Sequence, residues 1–134
     1  MSEVFPGSLL EGNKIIAPVP VDKSFKTRFP GAINIEWFRF EDMYEAVFYE
    51  NGTEKICKLS YEGEWIETRT NLDTSFLELK LKASAEQFGE IMNSILIESE
   101  DLNKYELITR DRQLNRFLLL LDESGEVINI QQIV

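Results

Sequence analysis

The sequence carries a set of motifs that returns, imperfectly, about sixty residues later. The matched pairs, with their separations, are Phe29 and Phe88 (59 residues), Tyr44 and Tyr105 (61), and Gly63 and Gly125 (62). An offset that grows only in the turns is what a duplicated structural unit produces. We therefore predict two copies of one unit, each with a short helix and several β-strands.

The first copy is predicted to begin with a short helix over residues 20–29. Val21, Phe25 and Phe29 lie four residues apart and so share one helix face, and Pro30-Gly31 ends the pattern. A helix of this length is not stable alone in water. Its apolar face must therefore pack on the rest of the unit.

Four strands are predicted to follow that helix, at residues 32–41, 43–50, 53–60 and 64–70. The connections are very short, and the strongest turn signal is Asn51-Gly52, because both central residues of a type I′ turn need positive φ. Strands joined so closely must run antiparallel.

The second copy is predicted to repeat this plan. Asp73-Thr74 is typical of a helix cap, and Gly89 is typical of a helix end. The residues at helical spacing between them are Phe76, Leu77, Lys80, Leu81, Ser84 and Phe88. The predicted strands are 92–99, 104–110, 115–121 and 126–132, and the wholly apolar run from Phe117 to Leu121 indicates a strand covered on both faces.

These elements define the predicted organisation of the chain. Residues 1–19, with Pro and Gly among scattered apolar residues, are expected to form an irregular N-terminal arm. Residues 20–134 are expected to form a single domain made of two repeats, 20–71 and 73–134. The predicted fold class is α+β, with a short helix packed on a four-stranded antiparallel sheet in each repeat.

The composition excludes several classes of function. The chain has 14 basic and 24 acidic residues, a net charge of −10, which disfavours nucleic acid and anionic membranes as partners. No stretch of about 18 apolar residues exists, so no membrane insertion is expected. Histidine is absent, which removes the usual general base and the commonest metal ligand.

The remaining residues indicate no catalytic site, metal site or cofactor. Cys57 is the only cysteine, so neither an intrachain disulfide nor a cysteine zinc site is expected, and it reads as a small core residue. The acidic residues cluster at turns without the spacing of a calcium loop and are interpreted as solvated. A hydrolase using paired carboxylates is the least favoured alternative, since nothing places two carboxylates in one cleft.

The first half resembles the PepSY-like family of bacterial envelope proteins, also described as β-lactamase-inhibitor-like. The residues that carry the resemblance are RFPGA at 28–32, Trp37, Tyr44-Glu45-Ala46 with Phe48, Asn51-Gly52, and Gly63 with Trp65, Glu67 and Thr68. The resemblance implies tandem helix-and-sheet repeats, no enzymatic activity and a periplasmic or cell-envelope location. Such relatives usually begin with a signal peptide, which this chain lacks as given, so the expectation is an envelope protein if a signal peptide was removed and a cytoplasmic protein otherwise.

Strand alternation in the first repeat separates two sheet faces. The set predicted to form the core under the helix is Ile35, Trp37, Tyr44, Ala46, Phe48, Cys57 and Leu59. The opposite face is predicted to hold Phe38, Phe40, Val47, Tyr49 and Ile56, with Trp65 near its edge. A solvated sheet face is normally polar, so this second apolar face needs a cover. The N-terminal arm, a second copy of the chain, or another protein or ligand could supply it.

Two functional hypotheses follow from that face. The favoured one is a non-catalytic binding or interaction module that associates with a protein partner or with itself through Phe38, Phe40, Val47, Tyr49, Ile56 and Trp65. The alternative is a carrier or sensor for a small ligand or peptide, held between the sheet and the N-terminal arm.

Overall fold

The structure, a computed structural model, describes residues 13–134. The chain divides into two compact units, one ending at Thr70 and the other beginning at Asn71. The fold is α+β, as predicted: two helices each precede a run of four antiparallel strands. Most of the predicted irregular arm, residues 1–12, lies outside the described residues.

The first unit contains one helix and five strands, which are neighbours in chain order and all antiparallel. Their bounds are β1 Asn13–Ile15, α1 Val19–Arg28, β2 Ile33–Phe40, β3 Met43–Glu50, β4 Thr53–Ser60 and β5 Trp65–Asn71. Strand β1 was not predicted. It corrects the irregular-arm assignment for these residues, because it pairs with β2 as an edge strand.

The core of the first unit forms where α1 covers the sheet. Phe25 is fully buried, and its ring centroid lies 5.3 Å from that of Trp37 and 4.9 Å from that of Phe48, both in edge-on geometry. Phe29 adds a tilted contact with Phe48 at 4.9 Å. The predicted core set is confirmed, since every member is buried in this cluster or packs against it.

Two local features fix the strands of the first unit. Asn51 and Gly52 have φ of 52° and 78°, as the predicted type I′ turn between β3 and β4 requires. In β2 the register shifts by one residue between Ile33 and Glu36, and Asn34 at this bulge has a φ of 54°. Because of the bulge, Ile33 points to the same face as Glu36.

The second unit begins with a 3-10 turn, η1 (Thr74–Phe76), and continues with one helix and four antiparallel strands. Their bounds are α2 Leu79–Glu86, β6 Glu90–Ser99, β7 Asn103–Arg110, β8 Arg116–Asp122 and β9 Val127–Ile133. Leu81 and Ala85 of α2 pack on a buried leucine cluster in β7 and β8. Gly89, with a φ of 137°, leads into β6 where any side chain would collide with the carbonyl of Arg110.

The predicted continuous helix from Asp73 to Gly89 is wrong in its first part. Asp73 does act as a cap, but its carboxylate accepts the backbone N–H of Ser75 at 2.9 Å in the separate 3-10 turn. Extended backbone at Leu77 and Glu78 then interrupts the chain before α2 begins. Short polar side chains that bond locally to the backbone favour such turns over helix. Phe76 is consequently 78% exposed instead of facing the core.

Replacement of Phe25 by Ala is expected to destabilise the protein by about 3–5 kcal/mol, because it opens a cavity among three aromatic rings. The matched control is Phe76→Ala, which removes the same atoms from an exposed position and should cost less than about 0.5 kcal/mol. Urea unfolding followed by circular dichroism measures both. Equal losses for the two variants would contradict the assigned core.

Candidate functional site

The candidate site is the sheet face of the first unit that points away from α1, called here the outer face. Cross-strand pairing defines it: Val47 lies opposite Ile56 on β4, Phe40 lies opposite Met43, and Ile33 lies opposite Tyr49. The apolar members are Ile33, Phe38, Phe40, Met43, Val47, Tyr49 and Ile56. Side chains on one face of paired strands are neighbours, so these residues form a strip. Two carboxylates stand among them: Glu36 lies opposite Val47, and the fully buried Glu45 lies opposite Phe38.

Exposure along the strip is uneven. Ile33 is 58% exposed and Tyr49 is 37% exposed, whereas Phe38, Phe40 and Val47 are half-buried. Sequence reasoning did not include Ile33 or Met43 in this face. Simple alternation from Val47 and Tyr49 would have found Met43. Alternation could not identify Ile33, because the bulge at Asn34 moves its side chain from the helix-covered face to the outer face.

Trp65 does not belong to the outer face, and its predicted placement there is wrong. It lies opposite Leu59 and packs against the core cluster on the α1 side. The Arg28 guanidinium of α1 sits 3.6 Å from the centroid of its ring, a cation–π contact. A register shift between Lys58 and Leu59 inserts an extra residue on β5 and so turns Trp65 to the helix side.

Ile56 does lie on the predicted face, but it is only 1% exposed. Ile56 can pack beside Val47, but it offers almost no surface for a partner to contact. The accessible part of the strip therefore runs along β2 and β3, through Ile33, Phe38, Phe40 and Tyr49.

Charged groups border the strip on its β4–β5 side. The Glu67 carboxylate accepts the Arg69 Nε–H at 2.8 Å and lies 3.5 Å from Lys58 Nζ. The three side chains are mostly shielded from solvent. Ion pairs that are partly desolvated and share one carboxylate hold their geometry better than isolated surface pairs.

Tyr49 and Glu54 form a polar end to the strip. The Tyr49 hydroxyl donates to Glu54 Oε2 at 3.4 Å, and the negative charge of Glu54 raises the pKa of Tyr49. Burial raises the pKa of the Glu54 carboxyl, whose Oε1 is buried and accepts no hydrogen bond from the described residues. Buried polar atoms usually have a partner, so this oxygen can accept a further hydrogen bond.

A groove of about 450 Å³ lies at the β1 side of the first unit, beside α1. Ile15, Ile35 and Trp37 supply apolar lining, and the ion pair between Lys14 and Glu36 (3.3 Å) closes one side. Residues 14–17 of the predicted arm line this groove together with β2 and α1, and the predicted ligand between the sheet and the N-terminal arm stays a prediction.

A second groove, of about 920 Å³, lies in the second unit between the end of α2 and the β7–β8 turn. Its lining mixes Arg110 and Arg112 with Glu86 and Glu90, so neither charge dominates. Asp111 is held by the turn itself, where the backbone N–H of Asn115 lowers the pKa of its carboxyl. The lining residues therefore indicate no particular ligand or reaction for this groove.

Cys57 is unsuited to nucleophilic catalysis. Burial raises the pKa of its thiol to about 12, against smaller opposing effects of Thr68 and Arg28, so the reactive thiolate is absent at neutral pH. Within residues 13–134 no group of three acidic, cysteine or histidine side chains could hold a metal ion. In the same range no helix is long and apolar enough to cross a membrane.

Comparison with known proteins shows the fold. A protein from Bacteroides eggerthii, named as a candidate periplasmic protein, superposes with a TM-score of 0.81 at 19% identity over 89% of this chain and 91% of its own. A DUF2874 family protein from Bacteroides uniformis gives 0.80 at 18% identity, covering 87% and 90%. A β-lactamase-inhibitor-protein-like (BLIP-like) protein from Bacteroides fragilis gives 0.77 at 16%, covering 89% and 88%.

The resemblance inferred from the first-half motifs is thus confirmed at the level of fold. At these identities the match carries no function, since one fold hosts many activities. Neither a scan of family models nor a search of curated proteins finds a match to the sequence.

The high thiol pKa of Cys57 predicts a specific pH dependence of stability. The unfolded thiol ionises near its ordinary pKa of 9.0 and the folded one near 12, so between these values the unfolded state binds fewer protons. This group's contribution is fully present below pH 9 and is lost as pH rises towards 12. Urea unfolding at intervals from pH 8 to 10.5 should show a shallower decline for Cys57→Ala than for the parent. Identical slopes, or rapid reaction of the native thiol with a disulfide reagent at pH 8, would contradict its burial.

Proposed function

We propose that this protein is a non-catalytic binding module that uses the outer face of its first unit to hold a protein partner. The observation that carries the proposal is the apolar and aromatic strip on a sheet face that no helix within residues 13–134 covers. Such a face is normally polar when solvated. A contiguous apolar strip at the surface of a small protein usually marks an interaction site.

The chemistry of the strip suits protein recognition. Phe38, Phe40 and Tyr49 offer rigid rings that lose little side-chain entropy on binding, and aromatic residues are enriched among the contacts that dominate interface energy. Ile33 lies opposite Tyr49, and Val47 lies on the same face opposite Glu36. A partner with a complementary apolar surface would bury all five side chains together.

The charged residues around the strip suggest which charges the partner carries around its own apolar patch. The chain has a net charge of −10, so a partner with basic residues around its apolar patch would be attracted and oriented. At the Tyr49 end, Glu54 Oε1 can accept one further hydrogen bond. Because that oxygen is buried, a lysine or arginine of the partner would be attracted by the charge of the carboxylate without bonding to Oε1 itself.

The proposed location is the bacterial cell envelope. The support is the similarity in fold to a protein named as a candidate periplasmic one, together with the first-half motifs. Placement in the envelope limits the candidate partners to secreted, periplasmic or membrane-anchored proteins.

The proposal predicts that photo-crosslinking from the outer face captures one defined partner. A photoreactive phenylalanine analogue at Phe40, and separately at Tyr49, is expected to crosslink the same protein from envelope extracts. The analogue at Phe76, an exposed phenylalanine of the second unit, is the matched control and should not capture that protein.

The captured protein must then bind in purified form. The double variant Phe40→Ser with Tyr49→Ser is expected to weaken this binding at least about tenfold, the loss of one modest hot spot, and to leave the circular dichroism spectrum and unfolding midpoint nearly unchanged. Unchanged affinity would contradict the proposal. A variant that unfolds, or loses several kcal/mol of stability, would show instead that the chain itself covers these residues.

A second candidate function is favoured by the groove beside β1. Its volume of about 450 Å³ and its mainly apolar lining suit a small ligand or a short apolar peptide, in agreement with the carrier alternative. The variant Trp65→Phe leaves Trp37 as the sole tryptophan, so its fluorescence reports on the groove. An apolar dye that binds there should shift the Trp37 emission, and Ile16→Asp, at a lining residue that is 94% exposed, should weaken the shift without disturbing the core. A dye that binds without affecting Trp37 would remove this candidate.

A further inference from the structure

Strands β1 of the first unit and β9 of the second unit differ in how well their edges are protected against pairing with another chain. Strand β1 has only three residues and carries Lys14 at its centre. Short edge strands and edge lysines are the devices by which proteins prevent pairing with another chain. The β1 edge is therefore blocked.

Strand β9 has none of these devices. It spans seven residues, Val127–Ile133, and contains no charged residue, proline or glycine. Among the described residues it pairs only with β8, so its other edge presents free backbone donors and acceptors. Its five central residues are all exposed, with Ile128 at 49% and Ile130 at 46%. A long, uncharged, exposed edge is a template for strand addition.

We propose that β9 is a self-association site, where the β9 strand of a second copy of this chain adds in antiparallel orientation. An antiparallel pair of identical strands has two-fold symmetry, which gives a closed dimer and leaves no further edge of this kind to extend. This inference is independent of the partner proposed for the outer face, because it concerns a different unit and a backbone edge.

Pairing centred on Gln131 fits the strand. It sets Gln131 opposite its own copy, Ile130 opposite Gln132, and Asn129 opposite Ile133. The overlap then begins at Asn129, after the register shift with β8 that lies between Val127 and Asn129. From Asn129 to Ile133 the pairing of β9 with β8 is regular. The two Gln131 amides then lie side by side and can hydrogen-bond to each other, and no charged side chains face each other across the pair.

Charge supports a second copy as the occupant. Each chain has a net charge of −10, so copies repel each other at most parts of their surface. The β9 edge is the exception: residues 127–134 bear no charged side chain, and Glu126 falls outside the proposed overlap. Added salt should therefore strengthen the dimer, because it screens the general repulsion and leaves the neutral contact intact.

The test is sedimentation velocity of the full chain from about 1 μM to about 1 mM, the range in which a weak dimer dissociates. We expect dimer at the upper end, more dimer at higher salt, and concentration-dependent protection of β9 amides from hydrogen exchange. Ile130→Lys should lower the association constant at least about tenfold, because it places a charge at the paired edge. Asn129→Lys, at the neighbouring position, should do the same.

The matched control is Leu79→Lys, which adds the same charge at an exposed leucine (82%) on α2 and should leave the dimer intact. A chain that stays monomeric throughout the range would overturn the inference. So would a dimer that both β9 variants leave unchanged. If Phe40→Ser with Tyr49→Ser abolishes the dimer and Ile130→Lys does not, self-association occurs at the outer face instead.

Discussion

The packing of Phe25 against Trp37 and Phe48 determines how the first unit is arranged. The Phe25 ring lies 5.3 Å from the Trp37 ring and 4.9 Å from the Phe48 ring, and these two contacts hold α1 on one face of the sheet. Once that face is fixed, strand alternation assigns every other side chain to the inside or to the outside. The other face of the same strands is covered by no helix in the described part of the chain, residues 13–134.

Sequence reasoning predicted most of this framework because its main signals are periodic. Helix spacing identified Phe25 as inward-facing, alternation identified the core set, and Asn51-Gly52 identified the turn between β3 and β4. The failures occurred where a single residue breaks the period. The bulge at Asn34 moves Ile33 to the outer face, and the extra residue in β5 moves Trp65 to the helix side. Bulges have no reliable signature in one sequence.

The predicted start of the second helix was wrong for a different reason. The residues from Asp73 to Ser75 satisfy their hydrogen bonds locally, so the chain forms a short turn before α2 can start. Local capping chemistry and helical spacing were both present, and only the structure shows which prevails. Strand β1 was missed because a three-residue edge strand has too few residues to display alternation.

The two units share the order of one helix followed by four strands, but they present different surfaces to other molecules. The first presents aromatic side chains on a sheet face, and the second presents an uncharged backbone edge at β9. The first suits recognition of a foreign protein, where side chains give specificity. The second suits pairing of identical strands, where the backbone supplies the contacts. A protein that pairs through β9 could display two outer faces to its partners, which would raise their effective affinity.

We infer that the aromatic outer face is open to a partner in the free protein. Broadening of side-chain NMR signals by a soluble gadolinium chelate measures this access directly. We predict strong broadening for the rings of Phe40 and Tyr49 and little for the rings of Phe25 and Phe48. Rings of Phe40 and Tyr49 that are as protected as that of Phe25 would contradict the claim, because the chain itself would then occupy the face.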